Sequence, residues 1–444
     1  MNLDMTKGSP LKLILKFTFP LVIGNVFQQF YSMVDAIIVG RFISVKALAA
    51  VGATGMISFL ILGFATGITS GFTVLTAQKF GAGDIEGVKK SVGSAAILSA
   101  IVTVVITFLS IAGMNWLLRI LNTPEDIFQM SYDFIITICI GIFASVLYNL
   151  MASLLRAVGN SVVPLVFLII SVLLNVALDL LLIINLHMGV TGAAIATVVS
   201  QAVSGIACLI YVIKKVPVLC IKKEDWKLHE NYAKTQMFIG LPMALQFSIT
   251  AIGALMLQGA LNILGSTAIA AYTAAGKADQ LLTQPFVAIG MTMATYSAQN
   301  YGVNNIRRIR QGTIISCVIT VIYAVLIAYA ANAFIDEIMC LFVDGNISEI
   351  LAYGRTYIWV VSVFYIPLGL IYIFRNIMQG MGFPMLPMMA GVMELIGRGV
   401  VATIAARFLS FEGITASNPA AWILADLLLI PAYFYTMKKV TKPV

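Results

Sequence analysis

AQKFGAGD, from Ala77 to Asp84, returns 221 residues later as AQNYGVNN, from Ala298 to Asn305. Two other stretches return in the same order at almost the same distance. RAVGNSVVP (Arg156 to Pro164) is matched by QGMGFPMLP (Gln379 to Pro387), shifted by 223. FTFPLVIG, which holds Pro20, is matched by FIGLPMAL, which holds Pro242, shifted by 222. Helices rich in Ala, Gly and Leu resemble one another by composition, but that gives scattered matches rather than three in register. The chain reads as one unit written twice, with its longest hydrophilic connection, Lys214 to Lys234, between the copies.

Composition decides the solvent in which the copies fold. Of 444 residues, 60% are hydrophobic and 10% charged, with a mean hydropathy of +0.98. A soluble domain carries about 25% charged residues, so this much apolar surface calls for a bilayer. Spans of about 20 mostly apolar residues are expected at 13–41, 47–77, 92–118, 131–155, 162–186, 190–213, 237–264, 268–298, 312–335, 354–379, 385–408 and 419–437. The first run is too long for the core of a secretory signal and is expected to stay as a helix. Six spans in each half give both halves the same orientation. That predicts an all-α polytopic protein of twelve helices in two six-helix lobes, related by a pseudo-twofold axis along the membrane normal, as in transporters of parallel repeats. The lobes are expected at 1–213 and 237–444, joined by a cytoplasmic linker at 214–236.

An even number of spans puts both termini on one side. Twenty Lys and Arg fall on that side, with Arg375 counted in a loop, against five on the other: Arg41, Lys46, Arg119, Arg355 and Arg407. The positive-inside rule makes the basic side, and both termini, cytoplasmic, in a plasma membrane. The net charge of +8 has the same origin. No basic patch is interleaved with aromatics, so no nucleic-acid partner is expected. Five scattered cysteines without a CxxC pair, and two histidines, His187 and His229, in expected loops, predict neither a disulfide framework nor a metal centre. No HExxH or GxSxG occurs, so an embedded enzyme is not expected either.

The polar residues at membrane depth carry the functional reading. Asp35, Asp179, Asp279, Glu394 and Asp426 fall within spans, with Lys277 and Arg398. An acid there costs about 2.5–3.5 kcal/mol on insertion scales and marks function by default. Glu394 and Arg398 are spaced i, i+4 and are expected to pair as a structural element. On the first span Asn25, Gln28, Ser32 and Asp35 form one polar stripe, which must face protein or a water-filled cavity. On the fifth, Asn175 and Asp179 share a face. Neither Asp35 nor Asp179 has a basic residue one turn away, so a cation or protons must complete the site. Carboxylate, amide and hydroxyl oxygens suit a hard cation such as sodium, and carboxylates crowded in low dielectric also exchange protons. Occupancy would neutralise the lobe and let an ion gradient drive alternation between two states.

Two six-helix lobes, the AQKFG and AQNYG loops, RAVGNSVVP after the fourth span and GVTGAAIAT opening the sixth together resemble the multidrug and toxic compound extrusion family, over essentially the whole chain. The resemblance implies secondary active efflux of small amphipathic, often cationic, organic molecules in antiport with sodium or protons. It implies no cofactor beyond the coupling ion, and a monomer in the lipid bilayer. In one branch of the family an Asp on helix one, an Asn and an Asp on helix five and a Thr on helix six form the cation or proton site. Asp35, Asn175, Asp179 and Thr197 match them here, with Asp35 and Asp179 the possible sodium ligands. Another branch uses a Glu in helix seven and an Asp in helix ten; here helix seven offers Gln246 and Gln258 and helix ten no acid, so that second site is expected to be missing.

For the substrate, the methionine-rich second half suits varied shapes, and Gln246, Met256, Lys277, Asp279 and Met293 are the candidate cavity residues. A flippase for lipid-linked precursors, of related architecture, is the alternative. Its large anionic headgroup would need several basic residues facing the cavity, and apart from those counted with the loops at the span ends only Lys277 and Arg398 lie in the expected spans.

Overall fold

The computed structural model describes residues 3–340 and 348–441. The first half of the chain forms α1 (Pro10–Phe42), α2 (Val45–Gly81), α3 (Ile85–Ile120), α4 (Glu125–Ile140), α5 (Ile142–Ala157), α6 (Val162–Asp179) and α7 (Gly189–Lys215), with a π-helical turn, Leu180–Asn185, continuing α6. The second half forms α8 (Glu230–Leu261), α9 (Ser266–Leu282), α10 (Gln284–Gly302), α11 (Ile306–Ala333), α12 (Ile335–Cys340), α13 (Ser348–Ser362), α14 (Tyr365–Gly380), α15 (Met385–Arg407), α16 (Phe411–Thr415) and α17 (Ser417–Thr441). Among the described residues there is no strand.

The repeated motifs are the joints between these helices. After α2 the chain turns through Gly83 at φ 73°, and Asp84 caps α3 by accepting from the Gly87 amide at 2.8 Å. After α10 it turns through Asn304 at φ 55°, and Asn305 caps α11 by accepting from the Arg308 amide at 3.1 Å. Gly and Asn are the residues that enter left-handed backbone most readily, and Asp and Asn are strong N-caps. The second motif places Gly159 and Gly382 at φ 82° and 87°. A Cβ on Gly159 would lie 2.0 Å from the Leu3 carbonyl.

Among the described residues nine helices are long and apolar enough to cross a membrane, and two bent pairs raise the number to eleven. The pairs are α4 with α5, at 47°, and α13 with α14, at 49°. They are the fourth and tenth expected spans. The breaks, at Gly141 and Phe364, are again 223 residues apart (364 − 141). The eighth expected span, 268–298, is carried by α9 and α10, which meet at Thr283.

The described residues form two compact units. One holds Ile23–Phe247 with Leu3 and Asp4; the other holds Met5–Val22 and the chain from Ser248 onward. Each unit thus takes in part of the first long helix of the opposite half, whereas the lobes expected from hydrophilicity were bounded at 213 and 237. Packing partners, rather than the polar connection, set these borders. They cut α1 just after Pro20 and α8 just after Pro242.

In the first unit, the stripe Gly63, Gly67, Gly71 on α2 receives the start of α8. A Cβ on Gly71 would lie 2.4 Å from the Gly240 Cα, and one on Gly67 2.8 Å from the Ala244 Cα. Small residues at four-residue spacing let helix backbones approach in a membrane. Gln236, expected in the linker, is buried instead: its side-chain amide donates to the Phe72 carbonyl at 3.1 Å and the Ser91 carbonyl at 2.8 Å. Phe72, Val88, Leu150, Leu154 and Leu155 form one apolar core with Ala244. Phe134, Ile135, Ile138 and Ile142 form another with Ile38 and Val39.

In the second unit, the start of the chain is held by α10 and α11. The Met5 amide donates to Gln299 Oε1 at 2.9 Å, Asn300 Nδ2 donates to the Met5 carbonyl at 3.1 Å, and the Thr18 and Thr292 hydroxyls lie 2.7 Å apart. Arg375, counted from sequence in a cytoplasmic loop, lies within α14 and is 7% exposed. It stands four residues from the end of the span expected at 354–379, where sequence permits either reading, and packing places it inside the helix.

Candidate functional site

The first unit brings together the residues expected to do the coupling. Tyr31 and Asp35 are one turn apart on α1 and share a face. The Tyr31 hydroxyl lies 3.2 Å from Thr197 Oγ1 on α7, and Asn175 Nδ2 on α6 donates to the same oxygen at 3.5 Å. Thr197 has one hydroxyl proton and gives it to the Ala193 carbonyl at 3.1 Å. It is therefore left to accept from both neighbours. Asn175 and Asp179 are 1% and 0% exposed. Asp179 is the last residue before the π-helical turn, a local distortion that frequently accompanies functional sites.

The Asp35 and Asp179 carboxyl groups lie within hydrogen-bond reach of each other. Asp35 Oδ1 is buried and has no hydrogen-bond partner among the described residues. Like charges at this range cannot both persist uncompensated, so the arrangement can hold one proton between the carboxyls or one cation beside them. The donor set is carboxyl, amide and hydroxyl oxygen, which suits a hard cation. Among the described residues no three or more His, Cys, Asp or Glu gather as a metal centre would require.

Asp35, Asn175, Asp179 and Thr197 thus sit at one place, and Tyr31 joins them. Sequence reading passed over Tyr31, although its i, i+4 spacing to Asp35 was the signal. The rest of the stripe does not join. At 1.5 Å per residue, Asn25 lies about 15 Å and Gln28 about 10 Å along α1 from Asp35. Gln28 and Ser32 are exposed, and Ser32 Oγ donates to the Gln29 carbonyl at 2.9 Å.

In the second unit the expected pair is not formed. Glu394 pairs with Arg375 from α14, whereas Arg398 Nε donates to Asn418 Oδ1 at 3.0 Å. Spacing permitted the Glu394–Arg398 contact, but a partner from another helix, hidden from sequence, took the carboxylate. Asp426 is 7% exposed, one of its buried oxygens has no hydrogen-bond partner among the described residues, and it feels both Arg375 and Glu394.

The candidate substrate residues divide. Met293 is fully buried, with Ser316 Oγ 2.8 Å from its sulfur, so it packs as a core residue. Met256 is 44% exposed, Lys277 is exposed, and Gln246, in the first unit, is half-buried. Asp279 accepts from the Tyr365 hydroxyl at 2.7 Å and the Tyr357 hydroxyl at 3.5 Å. The Tyr357 ring stands edge-on to Tyr272, centroids 4.8 Å apart, and Asn418 Nδ2 donates to the Tyr272 hydroxyl at 3.0 Å.

Comparison with known proteins shows what the chain as a whole is similar to. The MatE family profile matches residues 20–181 and 239–404, one copy in each half. The chain is 28% identical to the probable multidrug resistance protein YpnP of Bacillus subtilis over 69% of this chain and 68% of that one. It is 26% identical to the probable multidrug resistance protein YoeA of the same organism over 95% and 93%. It is 22% identical to a FAD transporter of Shewanella oneidensis over 98% and 95%. Among solved structures, an outward-facing multidrug resistance MATE family transporter of the MOP superfamily superposes with a TM-score of 0.93, at 21% identity, over 99% of this chain and 98% of that one.

Proposed function

The chain belongs to the MatE family, and on that premise we propose that it exports amphipathic, often cationic, organic molecules in exchange for protons or sodium by alternating access. It is a multi-pass membrane transporter and not an enzyme. Relatives along nearly its full length include proteins named for multidrug resistance, which supports drugs and toxic metabolites as cargo.

The observation that carries the coupling mechanism is the contact between the Asp35 and Asp179 carboxyls, with Tyr31, Asn175 and Thr197 around them. A proton or sodium ion removes the repulsion between the carboxylates. Its departure restores the repulsion and favours a different packing of α1 against α6 and α7. A ligand shifts such an equilibrium only by its unequal affinity for the two states, and a site built from three helices provides that inequality. For cargo, Asp279 is the candidate partner of a cationic group. It is backed by the Tyr357 and Tyr365 hydroxyls, and aromatic faces attract organic cations.

The test is ethidium accumulation in pump-deficient cells expressing wild type or Asp35→Asn at equal membrane abundance. Export by wild type and none by the variant supports the mechanism, and replacing sodium in the medium then separates the two ions. Export by both variants makes Asp35 structural and ends the coupling assignment. Export by neither removes the drug assignment and favours an anionic metabolite or lipid precursor, for which exposed Lys277 is the cation at hand.

A further inference from the structure

We propose that the groove between α11, α14 and α17, in the second unit, is a binding site for an anionic phospholipid. The groove has a volume of about 840 Å³. Its walls are Ile314, Cys317 and Val318 from α11, Phe374 from α14, and Phe434 and Met437 from α17. Ile314, Val318 and Phe434 are 65%, 53% and 63% exposed. They are apolar surface open at membrane depth.

One end of the groove differs from the rest. Arg310 and Lys438 close it, both exposed, with Arg310 Nη2 donating to Thr441 Oγ1 at 2.9 Å. None of the described residues lining the groove is acidic. Asp426 lies near Cys317 at the inner end but is buried and does not line the groove. The occupant therefore has a negative head and an apolar body, which rules against the cationic cargo of the efflux reading.

Length narrows the class further. Arg310 and Val318, and likewise Thr441 and Tyr433, stand eight positions apart, or about 12 Å along the helix. A hydrocarbon core is about 30 Å thick, so the groove spans roughly one leaflet. Basic pockets between membrane helices on the cytoplasmic side bind anionic headgroups. Assigning this groove to the cytoplasmic leaflet rests on the orientation proposed from the basic loops; the binding itself does not.

The test uses purified full-length protein in neutral detergent, titrated with phosphatidylglycerol or phosphatidylcholine. Bound lipid is counted by native mass spectrometry, and labelling of Cys317 by a maleimide is followed in a variant lacking the other four cysteines. Phosphatidylglycerol is expected to bind roughly twenty-five-fold tighter, about five-fold for each cation, and to protect Cys317. Arg310→Gln with Lys438→Gln should abolish that preference. Ile314→Trp, which fills the groove and leaves both charges, should abolish protection. Equal binding of the two lipids, or unchanged phosphatidylglycerol protection in both variants, overturns the proposal. Because the readout is binding, its failure leaves the efflux reading standing, and a failed ethidium assay leaves this one standing.

Discussion

At the scale of single residues, geometry separates side chains that sequence treats alike. Tyr31 donates no charge, yet its hydroxyl lies 3.2 Å from Thr197 Oγ1 beside Asp35. Tyr31→Phe removes that contact and leaves the ring. We expect ethidium export to fall several-fold while the melting temperature in detergent changes by an amount equivalent to about 1 kcal/mol or less, the worth of one hydrogen bond; a fully active variant would place Tyr31 outside the coupling site. Asp84, between the membrane spans, behaves differently. The Lys79 ammonium, 2.9 Å away, and then the Gly87 amide hold its carboxyl below the usual carboxylate range. A depressed folded value means that the contribution is complete above the unfolded value of about 3.9 and is lost as pH falls through the lower, folded one. Wild type should therefore lose more melting temperature between pH 5 and 2, on the order of those values, than Asp84→Asn, which keeps a capping oxygen as Asn305 does. Parallel melting curves for the two would show that the ion pair contributes nothing.

At the scale of helices, glycines show where backbones must meet. On α2, a Cβ at Gly71 would stand 2.4 Å from the Gly240 Cα, whereas one at Gly55 meets nothing within 4 Å. Gly71→Ala should destabilise by about 1–3 kcal/mol, as overpacking does, and Gly55→Ala should be neutral or slightly stabilising, since Ala is the better helix former. Thermal denaturation of the two variants distinguishes them, and equal losses would contradict the close approach. Much of this scale was legible in the sequence. The repeated AQ motif proved to be a left-handed turn and an N-cap, both of which depend on single residue types. Asp35, Asn175, Asp179 and Thr197 could be grouped because each stands at a fixed helical spacing or matches a family position. The break at Gly141 was not legible: the Val198 side chain lies 2.1 Å from where a Cβ would stand, and that close approach comes from a helix distant in sequence. Glu394 was misassigned for the same reason. Its neighbour by spacing is Arg398, its neighbour in space is Arg375, and only packing tells the two apart.

At the scale of the whole molecule, the duplication seen at three offsets of 221 to 223 residues reappears as matched turns, caps and bends. The border between the compact units, however, does not follow the border between the copies. Met5–Val22 belongs with the chain from Ser248 onward, and the start of α8 belongs with the first unit. Cutting the chain between Lys222 and Lys223, in the connection, separates the copies without cutting α1 or α8. Each fragment expressed alone should be degraded, since it lacks a helix segment its unit needs; the two expressed together should restore membrane abundance and ethidium export. A stable fragment on its own would mean that the exchanged segments are dispensable. The exchange also sets an order of construction. Met5–Val22 leaves the ribosome before every other part of its unit, and residues 23–247 must be made before the rest of that unit begins to appear. At about 5–20 residues per second, the segment carrying Thr18 and the Met5 amide waits roughly ten to forty-five seconds for the surface it docks on. During that interval the newborn chain holds a helix with half of its destination unbuilt, and its assembly in the membrane includes keeping that segment in place until the last helices arrive.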